Sequence, residues 1–198
     1  MVAATSVEEI LPGVFRWERW SPEHKVVLSS HAARQGSEFL IFDPIEVSVE
    51  VLDGFPPAPP TAIVLTSTNH LRAAVTWRDR FRVPVFASAE AKLGADGVQS
   101  LATDQLPFKH WRAMPLPGGP AGELAFFLPA MSLLIFGDAV VNLEGRGLEL
   151  LPAKYCVDQI RLRESVRRLT REFVALNAVF AHGAPLLGDA SARLATLL

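Results

Sequence analysis

The chain has 198 residues, of which 49% are hydrophobic and 20% are charged, and its formal net charge is −2. This composition is typical of a soluble globular protein, and the length suits one domain with a full core, which we place at residues 1–198. The small net charge gives no indication of a polyanionic partner, so we expect no nucleic acid to bind.

The sequence also argues against membrane insertion and secretion. The longest apolar region, residues 124–136, is interrupted by Pro129 and is shorter than the ~20 residues of a membrane-spanning helix. The first ten residues contain two glutamates and lack the basic start of a secretory signal. Cys156 is the only cysteine, which excludes an intrachain disulfide. We therefore expect a cytoplasmic protein with no membrane partner.

The first part of the chain is predicted to be rich in strands. Alternating and β-branched residues predict strands at residues 13–17, 25–30 and 38–42. Asp43 and Pro44 end the third strand, and residues 45–52 are predicted as a short helix. Residues 55–60 contain four prolines, which suit neither a helix nor a central strand, so this stretch is predicted as a stiff connector.

A short buried strand at residues 63–65 is followed by a polar segment that ends at His70. A helix is predicted over residues 71–81 and a further strand over residues 83–87. His70 therefore lies where a strand ends and a helix begins. Strand ends in α/β folds are common places for sites, because side chains converge there on a rigid frame.

The helix after His70 is predicted to pack by one apolar face. Its inner residues are Leu71, Ala74, Val75 and Phe81. Arg72 is expected on the solvated side of the helix. Asn69 is a candidate N-cap, because its side-chain oxygen can accept a backbone N–H.

The second half is predicted to alternate strands and helices. Strands are predicted at residues 110–116, 123–128, 132–136, 148–151 and 178–181, and short helices at residues 89–93 and 190–198. Asp158 is a good N-cap for a long helix, whose core stripe is Leu162, Val166, Leu169, Phe173 and Leu176. This order of elements indicates a layered α/β protein.

Three strand ends carry residues that can hold a metal: Asn69 with His70, Asp138, and His182. Two imidazoles and one carboxylate can bind one divalent ion and leave positions open for water or substrate. Each residue alone also has an ordinary explanation, as a helix cap, a turn or a strand-end loop. Because they are far apart in the chain, local spacing cannot show that they meet.

Six segments of the chain, in order, resemble sequence elements of the metallo-β-lactamase fold superfamily. They are residues 40–44, 63–70, 71–87, 116–123, 133–138 and 180–185. Residues 116–123, for example, resemble the family's L-P-G-H-T-P-G-S, and residues 180–185 resemble its closing G-H-G-x-P. The resemblance implies an αββα sandwich, in which two mixed β-sheets face each other, helices lie outside and a metal site lies at one edge.

The family motif T-H-x-H-x-D-H has no full counterpart here, because the chain reads T-S-T-N-H up to His70. We align Asn69 and His70 with the family's D-H pair, which implies a two-residue deletion. An alignment without the gap would leave no usable ligand in the motif. Gly119 stands in place of the family's histidine after Pro-Gly. The resemblance therefore implies that the first, three-histidine metal site is missing. It also implies that His70, Asp138 and His182 of the second site are retained, with an asparagine in place of an aspartate.

Two classes of function remain. The first is a metal-dependent hydrolase of a small-molecule substrate, with at most one divalent ion (zinc, iron or manganese) and Asp138 as catalytic residue. The resemblance places Lys154 and Tyr155 near the mouth of the pocket, and they are candidate substrate-binding residues. The second is a non-catalytic binding or structural protein of the same fold that has lost its metals. Metal content separates the two classes, and a homodimer is compatible with either.

Overall fold

Two mixed β-sheets make up most of the structure, a computed structural model that describes residues 3–54 and 59–198. Within these ranges the first sheet has seven strands, side by side in chain order: β1 (Glu8–Leu11), β2 (Val14–Ser21), β3 (Val26–Gln35), β4 (Glu38–Phe42), β5 (Ala62–Leu65), β6 (Val85–Ser88) and β7 (Val98–Leu101). Strands β1 to β4 pair antiparallel, and β4 to β7 pair in parallel. Most of the predicted connector at residues 55–60 lies outside the described residues.

The second sheet is built from the later strands of the chain. These strands are β8 (Arg112–Pro115), β9 (Leu124–Leu128), β10 (Leu133–Phe136), β11 (Val140–Leu143), β12 (Gly147–Leu150), β13 (Asn177–Phe180) and β14 (Leu186–Leu187). The sheet has the order β14-β13-β10-β9-β8, and β11 and β12 form a separate hairpin. Strands β10 and β13 are parallel neighbours, and the other pairs are antiparallel.

Helices cover the outer faces of both sheets. They are α1 (Val49–Gly54), α2 (Ala74–Phe81), α3 (Gln159–Glu172) and α4 (Ala190–Ala195), and short 3-10 turns span Thr68–His70, Ala89–Ala91, Pro129–Met131 and Ala153–Tyr155. Trp77 of α2 stacks on Trp17 of the first sheet, with ring centroids 5.4 Å apart. Across the described residues, every helix is too short or too polar to span a membrane.

The two sheets pack face to face through an apolar layer. Phe42 of β4 lies between Trp111 and Phe126, with ring centroids 5.2 and 5.3 Å away. Each of these side chains is fully buried, which stabilises the fold by roughly 1.5–3 kcal/mol per side chain. The layers are therefore helix, sheet, sheet, helix, and the predicted αββα sandwich is confirmed.

The helix after His70 begins later than predicted. Its first residue is Ala74 rather than Leu71, because Arg72 adopts a left-handed backbone conformation (φ 37°) that a continuous helix excludes. The inner face changes as a result. Val75 is 38% exposed, and Trp77 is buried in its place.

Helix α3 begins as predicted but ends earlier. The Asp158 side chain accepts a hydrogen bond from the Arg161 backbone N–H at 3.0 Å and caps the helix. The helix ends at Glu172, so Leu176 at the end of the predicted stripe is exposed. Phe173 instead packs outside the helix by stacking on Phe127, with centroids 4.7 Å apart.

Four short strands were absent from the prediction: β1, β7, β11 and β14. They have two to four residues, and β1 and β7 are mostly exposed or polar, as in the sequence V-Q-S-L of β7, whereas the first two residues of β11 are buried valines. Strands this short lack the alternating pattern that identifies longer ones, and pairing with a neighbour defines them.

Candidate metal centre

Three strand ends bring His70, Asp138 and His182 together at one edge of the sandwich. Strands β10 and β13 are parallel neighbours, with Phe136 opposite Phe180. Asp138 and His182 each follow that pair by two residues, so the two chains leave the sheet side by side. His70 comes from the other sheet, at the end of the 3-10 turn after β5. The predicted convergence of these three residues is confirmed.

One carboxylate oxygen is the centre of the cluster. Asp138 Oδ1 lies 3.2 Å from His70 Nε2 and 3.1 Å from His182 Nε2. The ligand atoms of the three residues all lie within 4.8 Å of one another, and among the described residues no other group of His, Cys, Asp or Glu converges in this way. Asn69 lies alongside, and its Nδ2 donates to Asp138 Oδ2 at 3.0 Å.

The position of Asn69 in the sequence suggested a helix N-cap, but in the structure Asn69 does not cap a helix. Ser67 caps the 3-10 turn instead, because its Oγ accepts from the Asn69 backbone N–H at 3.3 Å. The Asn69 side chain is thereby free to reach Asp138. It holds the carboxylate from outside the cluster, and its predicted role as a metal ligand stays a prediction.

Asp43 is a buried partner of the cluster that was not predicted as a site residue, although it ends a predicted strand and lies in residues 40–44, one of the six segments of the family resemblance. Its Oδ2 lies 2.9 Å from His70 Nδ1 and accepts from the Thr66 hydroxyl at 2.6 Å. Its Oδ1 accepts from the Thr66 backbone N–H at 2.8 Å. The signal in the sequence was a carboxylate directly after the apolar strand β4. In the structure Asp43 has a left-handed backbone, with a φ of 50°.

Arg72 supports Asp43, contrary to the prediction that it is solvated. Its Nη1 donates to the backbone carbonyls of Ser29 and Asp43, at 2.9 and 3.1 Å. The left-handed backbone at Arg72 turns the side chain inward, toward the region beyond the end of β4. The Asp43 carbonyl also accepts from the Ser30 hydroxyl at 2.6 Å, so the loop that carries this carboxylate is held from two sides.

The hydrogen bonds fix where the imidazole protons lie. Nδ1 of His70 faces the Asp43 carboxylate, and Nδ1 of His182 faces the Val27 carbonyl at 3.2 Å. Both partners are acceptors, so each Nδ1 donates. Two states of each Nε2 fit this arrangement. In one, Nε2 carries a second proton and donates it to Asp138; in the other, its lone pair faces a cation.

Charge also favours a proton on His70 when no metal is bound. Burial acts to lower the pKa of His70, but the carboxylates of Asp43 and Asp138 outweigh it and raise that pKa to about 9. Burial acts to raise the pKa of Asp138, yet the His70 charge and the hydrogen bonds from both histidines hold it well below its usual range. The pKa of Asp43 is lowered in the same way, chiefly by His70 against the effect of burial.

The three side chains fit a divalent ion. Metal–ligand bonds of about 2.0–2.2 Å in a tetrahedral arrangement separate the ligand atoms by roughly 3.4 Å. The distances of 3.1 and 3.2 Å around Asp138 Oδ1 are close to that value. Metal-bound histidines also donate their second nitrogen to a carboxylate or a carbonyl, as both histidines do here.

A second buried carboxyl, Glu123, lies beside the cluster. It is 3% exposed, and its Oε1 accepts from the Ala139 backbone N–H at 2.7 Å, whereas Oε2 is buried and has no hydrogen-bond partner among the described residues. Burial, with the nearby Asp138 charge, raises the pKa of Glu123 well above its usual range. No local sequence pattern selects Glu123, because it stands at the start of a predicted strand.

Lys154 and Tyr155 lie on an exposed 3-10 turn. Lys154 Nζ is 4.6 Å from the centroid of the Tyr155 ring, which is 59% exposed. Their predicted role in substrate binding stays a prediction. Two surface clefts of about 100 and 290 Å³ lie elsewhere, beside residues 87–100 and 103–112, and the metal-binding candidates line neither.

Comparison with known proteins identifies the fold. No family model and no curated relative matches the sequence. Among solved structures, TMB-1 has a TM-score of 0.78 at 18% sequence identity, over 99% of this chain and 97% of that chain. A metallo-β-lactamase from Pontibacter korlensis has a TM-score of 0.75 at 18% identity, over 97% of each chain.

A third structure is the metallo-β-lactamase FIM-1 from Pseudomonas aeruginosa in its mono-zinc form. Its TM-score is 0.76 at 14% identity, over 98% of this chain and 93% of that chain. The chain therefore has the fold of the metallo-β-lactamase superfamily, as the resemblance in its sequence predicted.

Proposed function

We propose that this protein is a metal-dependent hydrolase of a small substrate, which holds one divalent ion through His70, Asp138 and His182. The observation that carries the proposal is that two imidazole Nε2 atoms face one carboxylate oxygen while both Nδ1 atoms are engaged by acceptors. Without a metal, this arrangement needs an extra proton on each imidazole. A dication replaces two protons without changing the net charge of the cluster, so exchange of protons for one metal is electrostatically balanced.

The residues around the cluster would keep the ligands in place. Asp43 orients His70, the Val27 carbonyl orients His182, and Asn69 holds the second oxygen of Asp138. A bound divalent ion would lower the pKa of its water and polarise a carbonyl or phosphoryl oxygen of the substrate. The side chains of Asp138 and His182 are 10% and 14% exposed, so small molecules would reach the cluster from that side.

Two further points support a single ion. Three protein ligands are enough for one ion with an open position, and zinc, iron and manganese are each compatible with two histidines and a carboxylate. FIM-1, which shares the fold, is known in a mono-zinc form. For the substrate, the Lys154 ammonium would attract an anionic group and the Tyr155 ring would offer an apolar surface at the rim.

A second candidate function is a non-catalytic binding protein of the same fold. It is favoured by the saturation of Asp138, whose two oxygens lie within hydrogen-bond distance of three nitrogens from His70, His182 and Asn69. Protons alone therefore satisfy every side chain of the cluster. A protein that had lost its metal during evolution would retain such a network as a structural feature.

Metal titration of the purified protein, made without a histidine tag, tests the first proposal against the second. We expect one equivalent of zinc, manganese or iron(II) per chain by calorimetry and elemental analysis. Asp138→Ala and His182→Ala would abolish binding, whereas His24→Ala, which removes an exposed histidine, would leave it unchanged. Lactam, ester, thioester and phosphodiester probes would then be assayed with the loaded protein. No binding at neutral pH would exclude the hydrolase and favour the second function.

A further inference from the structure

We propose that Glu123 is a positioning residue that holds the turn carrying Asp138 in the geometry needed to bind a metal. The inference rests on the proposed function for the identity of the site. For the role itself it rests on the position of the Glu123 carboxyl, which accepts a hydrogen bond from the residue after Asp138 and leaves no room for a Cβ on the residue before it.

Two observations define this contact. Glu123 Oε1 accepts from the Ala139 backbone N–H at 2.7 Å, which fixes the residue after Asp138. On the other side, a Cβ atom added to Gly137 would lie 2.9 Å from the same Oε1 and 2.3 Å from the Thr66 hydroxyl. Glu123 therefore holds the residue after Asp138 by a hydrogen bond, and its carboxyl occupies the space that a side chain on the residue before Asp138 would need.

The backbone around Glu123 is itself firmly held. Its carbonyl accepts from the Leu116 N–H at 2.9 Å, and the next residue, Leu124, donates to the Thr66 carbonyl at 2.7 Å. These contacts tie the segment to β8 and to the strand end before His70. The backbone next to Glu123 is thus bound to the segment that carries His70, and the Glu123 side chain is bound to the turn that carries Asp138.

Glu123 also fills the space next to Gly119, where the resemblance places a histidine of the missing first metal site. A Cβ atom added to Gly119 would lie 3.1 Å from Glu123 Cγ. A larger residue at 119 and the present Glu123 conformation would compete for the same volume. In this chain the buried Glu123 side chain occupies the volume beside residue 119.

Stability alone does not explain a carboxyl at this position. Within residues 3–54 and 59–198, Glu123 Oε2 is buried without a hydrogen-bond partner, which costs free energy relative to an apolar side chain of similar size. An aliphatic residue would fill the space without that cost, but it could not accept the Ala139 N–H. The hydrogen bond to the Asp138 turn is what the carboxyl adds.

The test compares Glu123→Gln, Glu123→Ala and wild type, first without metal. Glutamine keeps a side-chain oxygen for the Ala139 N–H, whereas alanine removes it. We expect fast amide hydrogen exchange at Ala139 and altered imidazole NMR shifts of His70 and His182 in Glu123→Ala only. With metal, we expect Glu123→Ala to bind zinc about 10- to 100-fold more weakly, and Glu123→Gln to bind close to the wild-type affinity.

A core variant separates positioning from general stability. Leu128→Ala truncates a fully buried residue at the other end of β9 and is expected to lower stability without changing zinc affinity. Equal loss of affinity in Leu128→Ala and Glu123→Ala would overturn the proposal, as would an unchanged Ala139 amide in Glu123→Ala. If the alanine variant does not fold, Glu123→Asp, one methylene too short to reach Ala139, replaces it with the same expectations. If wild type binds no metal, the hydrolase proposal fails, and the Ala139 exchange rate still decides the role of Glu123.

Discussion

Asp43 Oδ2 lies 2.9 Å from His70 Nδ1, and the two side chains are 3% and 2% exposed. This pair joins the first sheet to the candidate metal centre, because Asp43 follows β4 and His70 follows β5. It also sets the charge of the cluster, since the Asp43 carboxylate beside His70 Nδ1 favours either a proton or a cation on His70 Nε2.

Replacing Asp43 with alanine is expected to weaken both the fold and the site. The variant leaves the Thr66 backbone N–H and hydroxyl without their acceptor in a buried place, and His70 loses its carboxylate partner and keeps only the Thr66 hydroxyl oxygen, 2.8 Å from Nδ1. The loss of the buried pair costs about 3–5 kcal/mol of unfolding free energy. Zinc affinity is expected to fall about 10- to 100-fold. Urea unfolding in the presence of a chelator measures the first effect, and calorimetry measures the second.

Asp104→Ala is the control for the Asp43 variant, because Asp104 is exposed and its loss should change stability by less than about 0.5 kcal/mol. If Asp43→Ala lowers stability as little as Asp104→Ala does, the buried Asp43–His70 pair contributes little to the free energy of unfolding.

The metal-free protein is expected to lose stability as the pH rises through the alkaline range. The pKa of His70 is raised from 6.5 to about 9 in the folded state, so its contribution is fully present below pH 6.5 and is lost as the pH rises toward 9. The shift corresponds to roughly 3 kcal/mol. Urea unfolding midpoints of wild type and His70→Gln are measured with a chelator between pH 6 and 9.5, and their difference gives the contribution of His70 at each pH. If the two midpoints change with pH in parallel, His70 makes no such contribution.

Metal binding is expected to strengthen with pH over the same range. The ion must displace the proton from His70 Nε2. In the metal-free protein His70 has a pKa of about 9, so it loses this proton only near that pH. From the sequence alone, affinity would be expected to level off above the ordinary histidine pKa of about 6.5. Cobalt or zinc titrations from pH 6 to 9 distinguish the two expectations. An affinity that is constant above pH 7 would show that His70 is neutral before the metal arrives.

Gly137→Ala is expected to damage the site by steric conflict. The new Cβ would lie 2.3 Å from the Thr66 hydroxyl and 2.9 Å from Glu123 Oε1, so the Asp138 turn must move. We expect a loss of about 1–3 kcal/mol in unfolding free energy, together with reduced metal affinity. Gly94→Ala is a matched control, because a Cβ at that exposed position meets no atom within 4 Å. Wild-type stability and affinity in Gly137→Ala would show that the turn can adapt.

The sequence predicted the three central residues of the site but not their supports. His70, Asp138 and His182 were found because each follows a strand and matches a family element. Asp43 and Glu123 act through contacts with residues 16 to 27 positions away, and no local pattern marks such contacts. The buried strands β4, β5, β9, β10 and β13 were placed to within one residue at each end, because their apolar runs are unbroken. The longer strands β2 and β3 extend to Ser21 and Gln35, beyond their predicted ends at residues 17 and 30.

Arg72 shows why the local prediction failed next to the site. A helix was expected to run on from residue 71, as its apolar spacing suggested. The chain instead adopts a left-handed conformation there, and the Arg72 side chain binds the carbonyls of Ser29 and Asp43. Tertiary hydrogen bonds outweighed helix propensity at this position, which the sequence around it could not indicate.

The two sheets each contribute to the candidate centre: His70 comes from one, and Asp138 and His182 from the other. A bound ion would therefore act as a cross-link between the two halves of the sandwich, comparable to a disulfide that closes a long loop. Opening the sandwich would first require this bridge to break, so loading the ion would slow the separation of the sheets. The same link makes the site sensitive to sliding of one sheet over the other, because such a shift would change the distance between His70 and Asp138.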